Sequence, residues 1–204
     1  MKGSSQQHRG LATLALLTVP LMVGGGAGWW YVRHELPYVN RVEYVSPLMT
    51  EQLVLRHDAK GPGYFGAPRS GARHHTGVDV LSNVGQPVMA VRSGYVREAR
   101  YHRGFGFFVT LDHGAGRGSL YAHLSRLDVR RGQRVRQGQV IGAVGKSGNA
   151  RSRMVAAHLH FELHQDGQPI DPNSVAFFQS HIVDPAYDPT TSVGPPHVVA
   201  DREK

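Results

Sequence analysis

The segment His158-Leu159-His160-Phe161-Glu162-Leu163-His164 alternates titratable and apolar residues without a break. In an extended strand successive side chains point to opposite faces, so Leu159, Phe161 and Leu163 share one face and His158, His160, Glu162 and His164 the other. The apolar face is a core face. The opposite one is either a solvated polar surface or a metal site on a rigid strand, and two imidazoles two residues apart favour the metal. Because the chain has no Cys, thiolate ligands and nucleophiles, CxxCH haem attachment and disulfides are excluded. Any metal must be held by His and carboxylates, and the chain has 13 His.

A second pair lies in His75-Thr76-Gly77-Val78-Asp79. Gly77 and the β-branched Val78 argue against helix, and an extended backbone also places residues four apart on one face. Alone, this spacing is equally that of a surface hydrogen bond. A further imidazole, His123, sits in the alternating run Leu120-Tyr121-Ala122-His123-Leu124. Two histidines and a carboxylate with an open fourth position are a ligand set for hydrolytic zinc.

The elements that must carry these residues are short. From residue 51 onward apolar runs recur between glycines (LVLR, GVDV, QPVMAV, GYVREAR, FFVTLDH, GSLYAHL, RVRQGQVIGAV, HLHFELH), a texture of short strands and tight turns. The expected fold is mainly β, a compact antiparallel sheet with glycine-rich turns and no long amphipathic helix after residue 34. Val135, Val140 and Val144 are expected in its core, with Phe177 and Phe178 covering one end. Residues 151–157 are expected to hold a turn of helix or a flexible loop. Residues 34–50 read as a linker or edge strand, 51–180 as the domain, and the proline-rich 181–204 as a disordered tail.

Residues 10–32 contain no charge and follow Lys2 and Arg9. This stretch is either a membrane anchor, with Trp29, Trp30 and Tyr31 in the interfacial belt, or a signal peptide cleaved after Ala27. Either way the remainder is expected to be exported to the periplasm or cell envelope. The formal net charge of +8 is carried by Arg, nine of them between residues 97 and 136. Such a field attracts anionic polymers, but no helix-turn-helix, zinc-finger spacing or aromatic–basic pattern accompanies it, so nucleic acid is not the expected partner.

Taken together, H-x-x-x-D at 75–79, Y-A-H-L at 121–124, V-x-x-G-Q-x-I-G-x-x-G at 135–145 and H-x-H at 158–160 resemble the M23 metallopeptidases, the lysostaphin/LytM-like peptidoglycan endopeptidases. The resemblance runs in order from Gly63 to Pro172. It implies one zinc held by His75, Asp79 and His160, with His158 as general base and a protonated His123 stabilising the charged intermediate. It leaves Glu162 as a hydrogen-bond partner of an imidazole or a solvated carboxylate. His74 and His164 are non-ligands, and Ser147 and Asn149 have loop roles. The implied substrate is a peptidoglycan cross-bridge or stem, cut at a Gly-Gly, D-Ala-Gly or D-Ala-to-diamino-acid bond. A ligand-depleted scaffold or activator is the alternative that the intact set of five residues argues against. One departure stands out: residues 149–157 (NARSRMVAA) are longer and more basic than the family's brief Ser/Thr-Gly-Pro turn, and Arg151 and Arg153 are expected to shape the groove wall. Residues 34–62 are a candidate inhibitory segment that a regulatory protein partner would displace.

Overall fold

The computed structural model describes residues 26–185. Nine strands form one antiparallel sheet: β1 (Val78–Leu81), β2 (Pro87–Met89), β3 (Gly94–His102), β4 (Gly106–Gly114), β5 (Arg117–Leu127), β6 (Arg134–Val135), β7 (Val140–Val144), β8 (His158–Gln165) and β9 (Gln168–Ile170). The order β6-β3-β4-β5-β7-β2 is one path through it, and β8 joins β5, β9 and β1. This is the mainly β fold expected from the alternating, glycine-punctuated runs.

Strand β5 organises the site because it changes partner along its length. Residues 117–122 pair with β8, whereas Leu124, Arg126 and Leu127 pair with β7. His123 stands at the changeover, within an irregularity of the β4 ladder between Tyr121 and Leu124. Its φ is +61°, a left-handed conformation that costs a non-glycine residue about 1 kcal/mol or more.

The core face of β8 behaves as its pattern dictates. Leu159, Phe161 and Leu163 pack with Val78 and Val80 of β1 and with Tyr121 and Leu124 of β5. Gly77 is required here: a Cβ at this position would run into the Phe161 carbonyl. Phe178, on the short helix α2 (Ala176–His181), is fully buried against Tyr44 and Phe161 and closes one end of the core. Val135 and Val144 are buried as expected, but Val140 faces outward at the start of β7.

Two stretches read as a linker and a tail carry ordered contacts. Residues 40–50 are not a free linker: Tyr44 and Leu48 lie in the core, and Asn40 accepts a hydrogen bond from the Ser93 amide at 2.7 Å. Nor is the tail irregular from residue 181. Ile182 and Val183 pair in parallel with Leu53 and Val54, and Asp184 meets His57 at 2.6 Å; residues 186–204 lie outside the described residues. Residues 151–157, expected as a helical turn or a loop, follow a 3-10 turn over Gly148–Arg151.

The described residues up to Leu36 belong to a unit separate from the domain. Its described part carries the helix α1 (Gly26–His34), with Trp29, Trp30 and Tyr31 exposed. Residues 1–25, most of the expected anchor or signal, lie outside the described residues. Among the described residues no helix is long and apolar enough to cross a membrane.

Candidate metal centre

Register brings the ligands together. On β8, His160 is the direct cross-strand neighbour of Asp79 on β1 and of Ala122 on β5. His75 lies just before β1, four residues from Asp79. The atoms that meet are His75 Nε2, Asp79 Oδ1 and His160 Nδ1, separated by 3.0 Å (His75–His160), 3.1 Å (His75–Asp79) and 2.9 Å (His160–Asp79). Among the described residues these three form the group able to hold a metal ion.

The remaining ring nitrogens establish what those atoms are. His75 Nδ1 donates to the Tyr64 carbonyl at 2.9 Å, which leaves Nε2 as a lone pair. His160 Nε2 donates to Glu162 Oε1 at 2.9 Å, which leaves Nδ1 facing Asp79. Three acceptors therefore converge at about hydrogen-bond distance, an arrangement that a shared cation makes favourable. Tetrahedral ligands about 2.0–2.1 Å from zinc stand about 3.3 Å apart, so the triangle fits one zinc ion. Electrostatics agree: burial disfavours a charged His160, yet Asp79 and Glu162 hold its pKa up to about 9, so without metal a proton on Nδ1 bridges to Asp79, and a bound cation would take that proton's place and free the lone pair. Burial also opposes the charge on Asp79, but His160 and His75 keep its carboxyl well below the usual range.

Glu162 is no solvated carboxylate. It is buried and bridges His160, His164 Nε2 (2.7 Å) and Thr76 Oγ1 (2.6 Å). Such an outer carboxylate fixes the ring and raises the ligand's basicity. His164 thus faces Glu162, and His74 is exposed with Nδ1 on the Gly66 carbonyl at 3.2 Å; both stand outside the ligand triangle.

His123 and His158 lie beside the triangle with ring centroids 4.9 Å apart. His158 Nδ1 donates to the Ala156 carbonyl at 2.7 Å, and its Nε2 is 3.7 Å from Asp79 Oδ1. His123 Nδ1 donates to the Ser147 carbonyl at 3.0 Å. Both carbonyls are acceptors only, so each neutral ring presents a bare Nε2. Burial lowers the pKa of His158 and, with the neighbouring His160 and His158 rings, brings His123 down to about 3. With no substrate bound, burial and these neighbouring rings therefore favour the neutral form of His123.

Sequence reasoning missed the outer support. Arg56, almost fully buried, donates to Asp79 Oδ2 at 2.7 Å and to Asp58 Oδ1 at 2.5 Å, and Arg69 reaches Asp79 Oδ2 at 3.3 Å. Burial works against the Arg56 charge, but the two carboxylates raise its pKa regardless. Ser147 has more than a loop role, since its hydroxyl accepts from the Phe107 amide and donates to the Leu124 carbonyl, holding the carbonyl that orients His123. In Arg56 the available signal was an Arg in an otherwise apolar run, LVLR.

A cleft of about 900 Å³ opens over the triangle. Arg56, Lys60, Arg69 and Arg73 line it with positive charge, and Phe105 and Val155 supply apolar surface. Residues 149–155 contribute Asn149, Ala150, Ser152 and Val155 rather than Arg151 or Arg153, so the groove's cations come from the segments before His75.

Comparison with known proteins agrees with this geometry. Residues 73–172 match the model of peptidase family M23. The chain is similar to the DD-carboxypeptidase/endopeptidase Mpg of Neisseria meningitidis, 41% identical over 104 residues that make up 51% of this chain and 23% of that protein. It is similar to the peptidoglycan DD-endopeptidase ShyA of Vibrio cholerae, 37% identical over 97 residues, 48% of this chain and 22% of ShyA. The chain therefore matches under a quarter of the length of these relatives. Among solved structures, the catalytic domain of a mutant of the prophage-encoded M23 protein EnpA from Enterococcus faecalis superposes with a TM-score of 0.51 at 27% identity, covering 64% of this chain and 97% of that one.

Proposed function

We propose that this chain, which belongs to peptidase family M23, is a zinc-dependent endopeptidase that hydrolyses peptide cross-bridges or stem peptides of bacterial peptidoglycan. The observation that carries the reading is the convergence of three lone-pair atoms within 3.1 Å beside two neutral imidazoles in an open cleft.

His75, Asp79 and His160 would hold the zinc, which when bound supplies Lewis acidity toward water and the scissile carbonyl. The bare Nε2 of His158, next to the ligand cluster, accepts a proton from the attacking water and returns it to the leaving amine. His123 presents a second neutral imidazole beside it, and a proton taken from solvent would let it donate to the developing oxyanion and return that proton to solvent on product release. Phe105 lies against the His160 ring, with centroids 5.8 Å apart, and restricts water on that side.

The relatives named as DD-endopeptidases act on links made at D-amino acids, and the cationic lining of this cleft favours a stem that carries a carboxylate. Of the three candidate bonds, D-Ala to a diamino acid fits this charge best. The uncharged run at residues 10–32 supports export to the cell envelope, with residues beyond it facing the wall. The nine Arg of residues 97–136 would raise the local concentration on an anionic wall polymer.

Release of soluble muropeptides from purified sacculi, abolished by chelator and restored by zinc, tests the reading. Mass analysis of the products names the bond. One zinc per chain without release from any sacculus would contradict the catalytic reading and favour the scaffold alternative or a form that needs a regulatory protein.

A further inference from the structure

The metal ligand Asp79 and the imidazole His158 are joined by a continuous chain of polar contacts that runs outside the cluster. Asp79 Oδ2, the oxygen turned away from the triangle, accepts from Arg56 Nη2 at 2.7 Å. The other arm of the same guanidinium, Nη1, donates to Asp58 Oδ1 at 2.5 Å. Asp58 Oδ2 accepts from the Ala156 amide at 3.0 Å, and the Ala156 carbonyl accepts from His158 Nδ1 at 2.7 Å. Arg56 and Asp79 are both almost fully buried, and the Asp58 side chain is largely so.

Each link has a directional consequence. With Oδ2 committed to Arg56 and Arg69, Asp79 offers Oδ1 alone to the metal. With its amide pinned by Asp58, Ala156 holds its carbonyl toward His158, which sets that ring's tautomer and aims Nε2 at the cluster. Residues 152–157 are otherwise tied by the Val155 amide to the Ser152 carbonyl, the Met154 amide to the Ser152 hydroxyl, the buried Val155 side chain and the Ser82 amide on the Ala157 carbonyl, and of all these contacts the one to Asp58 holds the Ala156 amide.

Resting on the endopeptidase reading, we propose that Arg56 and Asp58 are paired positioning residues: Arg56 restricts Asp79 to one-oxygen ligation, and Asp58 orients His158 through the backbone of Ala156, whose amide it holds and whose carbonyl His158 meets. Neither touches the reacting atoms. The two ends are separable, because Asp79 keeps Arg56 and Arg69 when Asp58 is lost, whereas His158 keeps no other fixed carbonyl when Ala156 swings free.

The test uses the full chain and the variants Asp58→Ala, Asp58→Asn and Arg56→Lys, with three readouts: zinc affinity by competition with a chromophoric chelator, the kcat and KM of cross-link cleavage, and 15N-histidine NMR of the metal-free protein. Asp58→Ala is expected to keep zinc affinity within a few-fold of the parent, to lower kcat by about 10–100-fold with KM nearly unchanged, and to lose the single Nδ1–H tautomer signature of His158. Asp58→Asn is expected to fall between Asp58→Ala and the parent, because Arg56 and Ala156 donate to different oxygens of Asp58 and the carboxamide replaces one of them with a donor. Arg56→Lys is expected to weaken zinc by about 10–100-fold, since one ammonium cannot span both carboxylates. The proposal is overturned if Asp58→Ala leaves kcat and the His158 tautomer unchanged, or if zinc, melting temperature and activity all fall together in that variant. If the parent binds zinc and cleaves no peptidoglycan while the NMR change in Asp58→Ala appears as expected, the positioning stands and the endopeptidase reading fails.

Discussion

The metal triangle and the pair His123/His158 lie side by side but are built by different means. Ladder register sets two of the ligands: His160 and Asp79 are direct cross-strand neighbours, and the alternation of β8 turns its apolar residues into the core. Backbone departures set the imidazole pair. His123 sits in a strand irregularity at φ +61°, and both rings are aimed by loop carbonyls, those of Ser147 and Ala156. On the proposed reading, the difference assigns binding to the regular, stiff part of the fold and proton transfer to the irregular part. Loss of a ladder residue should therefore cost metal and activity together. Loss of a loop-aimed imidazole should cost activity alone.

The largest expected effect is on the triangle. His160→Ala and His75→Ala should each abolish stoichiometric zinc binding and hydrolysis, as read by metal analysis of purified protein. Retention of one zinc by either would show that the triangle is not the binding site. Next comes the imidazole pair: His158→Ala should keep its zinc and lose hydrolysis by about 10²–10⁴-fold. Core support follows. Leu159→Ala empties a fully buried position on the reverse of the ligand strand and should cost about 2–5 kcal/mol in denaturant unfolding. Leu81→Ala, exposed on β1, should cost far less, and equal losses would contradict the face assignment.

A smaller effect separates strain from chemistry at residue 123. His123→Gly and His123→Ala should both be poorly active, yet the Gly variant should be the more stable by about 1 kcal/mol, because glycine adopts a φ of +61° without cost. If Ala equals Gly in stability, the left-handed conformation is not strained. Acid sensitivity gives a further, milder contrast at a histidine outside the metal triangle and its cleft. Half-buried His113, between the Ser93 carbonyl and the Ser119 hydroxyl, is pushed down to about 4 chiefly by desolvation. The unfolded chain takes up this proton first, so stability should fall as pH drops from about 6.5 to about 4. His113→Gln should flatten that decline, and an unchanged slope would show that His113 is not its source.

Much of this division was legible before any coordinates. Alternation over residues 158–164 separates a core face from a ligand face, and the five-residue His75–Asp79 spacing suits an extended backbone. The irregular parts were not legible, since no local pattern announces the bulge at His123 or the inward turn of Ser147. Arg56 and Asp58 were hidden for another reason: their partners, Asp79 and Ala156, lie 23 and 98 residues away. Residues 34–50 read as a linker because two prolines and polar residues mask Tyr44 and Leu48, whose burial depends on strands far along the chain. Asp184, in the stretch read as a tail, likewise finds His57 only in three dimensions.

Zinc content and muropeptide release, measured in parallel on the parent, His158→Ala and His160→Ala, test the central claim most directly. One zinc with release from the parent, one zinc without release from His158→Ala, and neither from His160→Ala is the predicted result. Zinc lost from both variants, or kept by both, would contradict a ladder that binds and a loop-aimed imidazole that moves the proton.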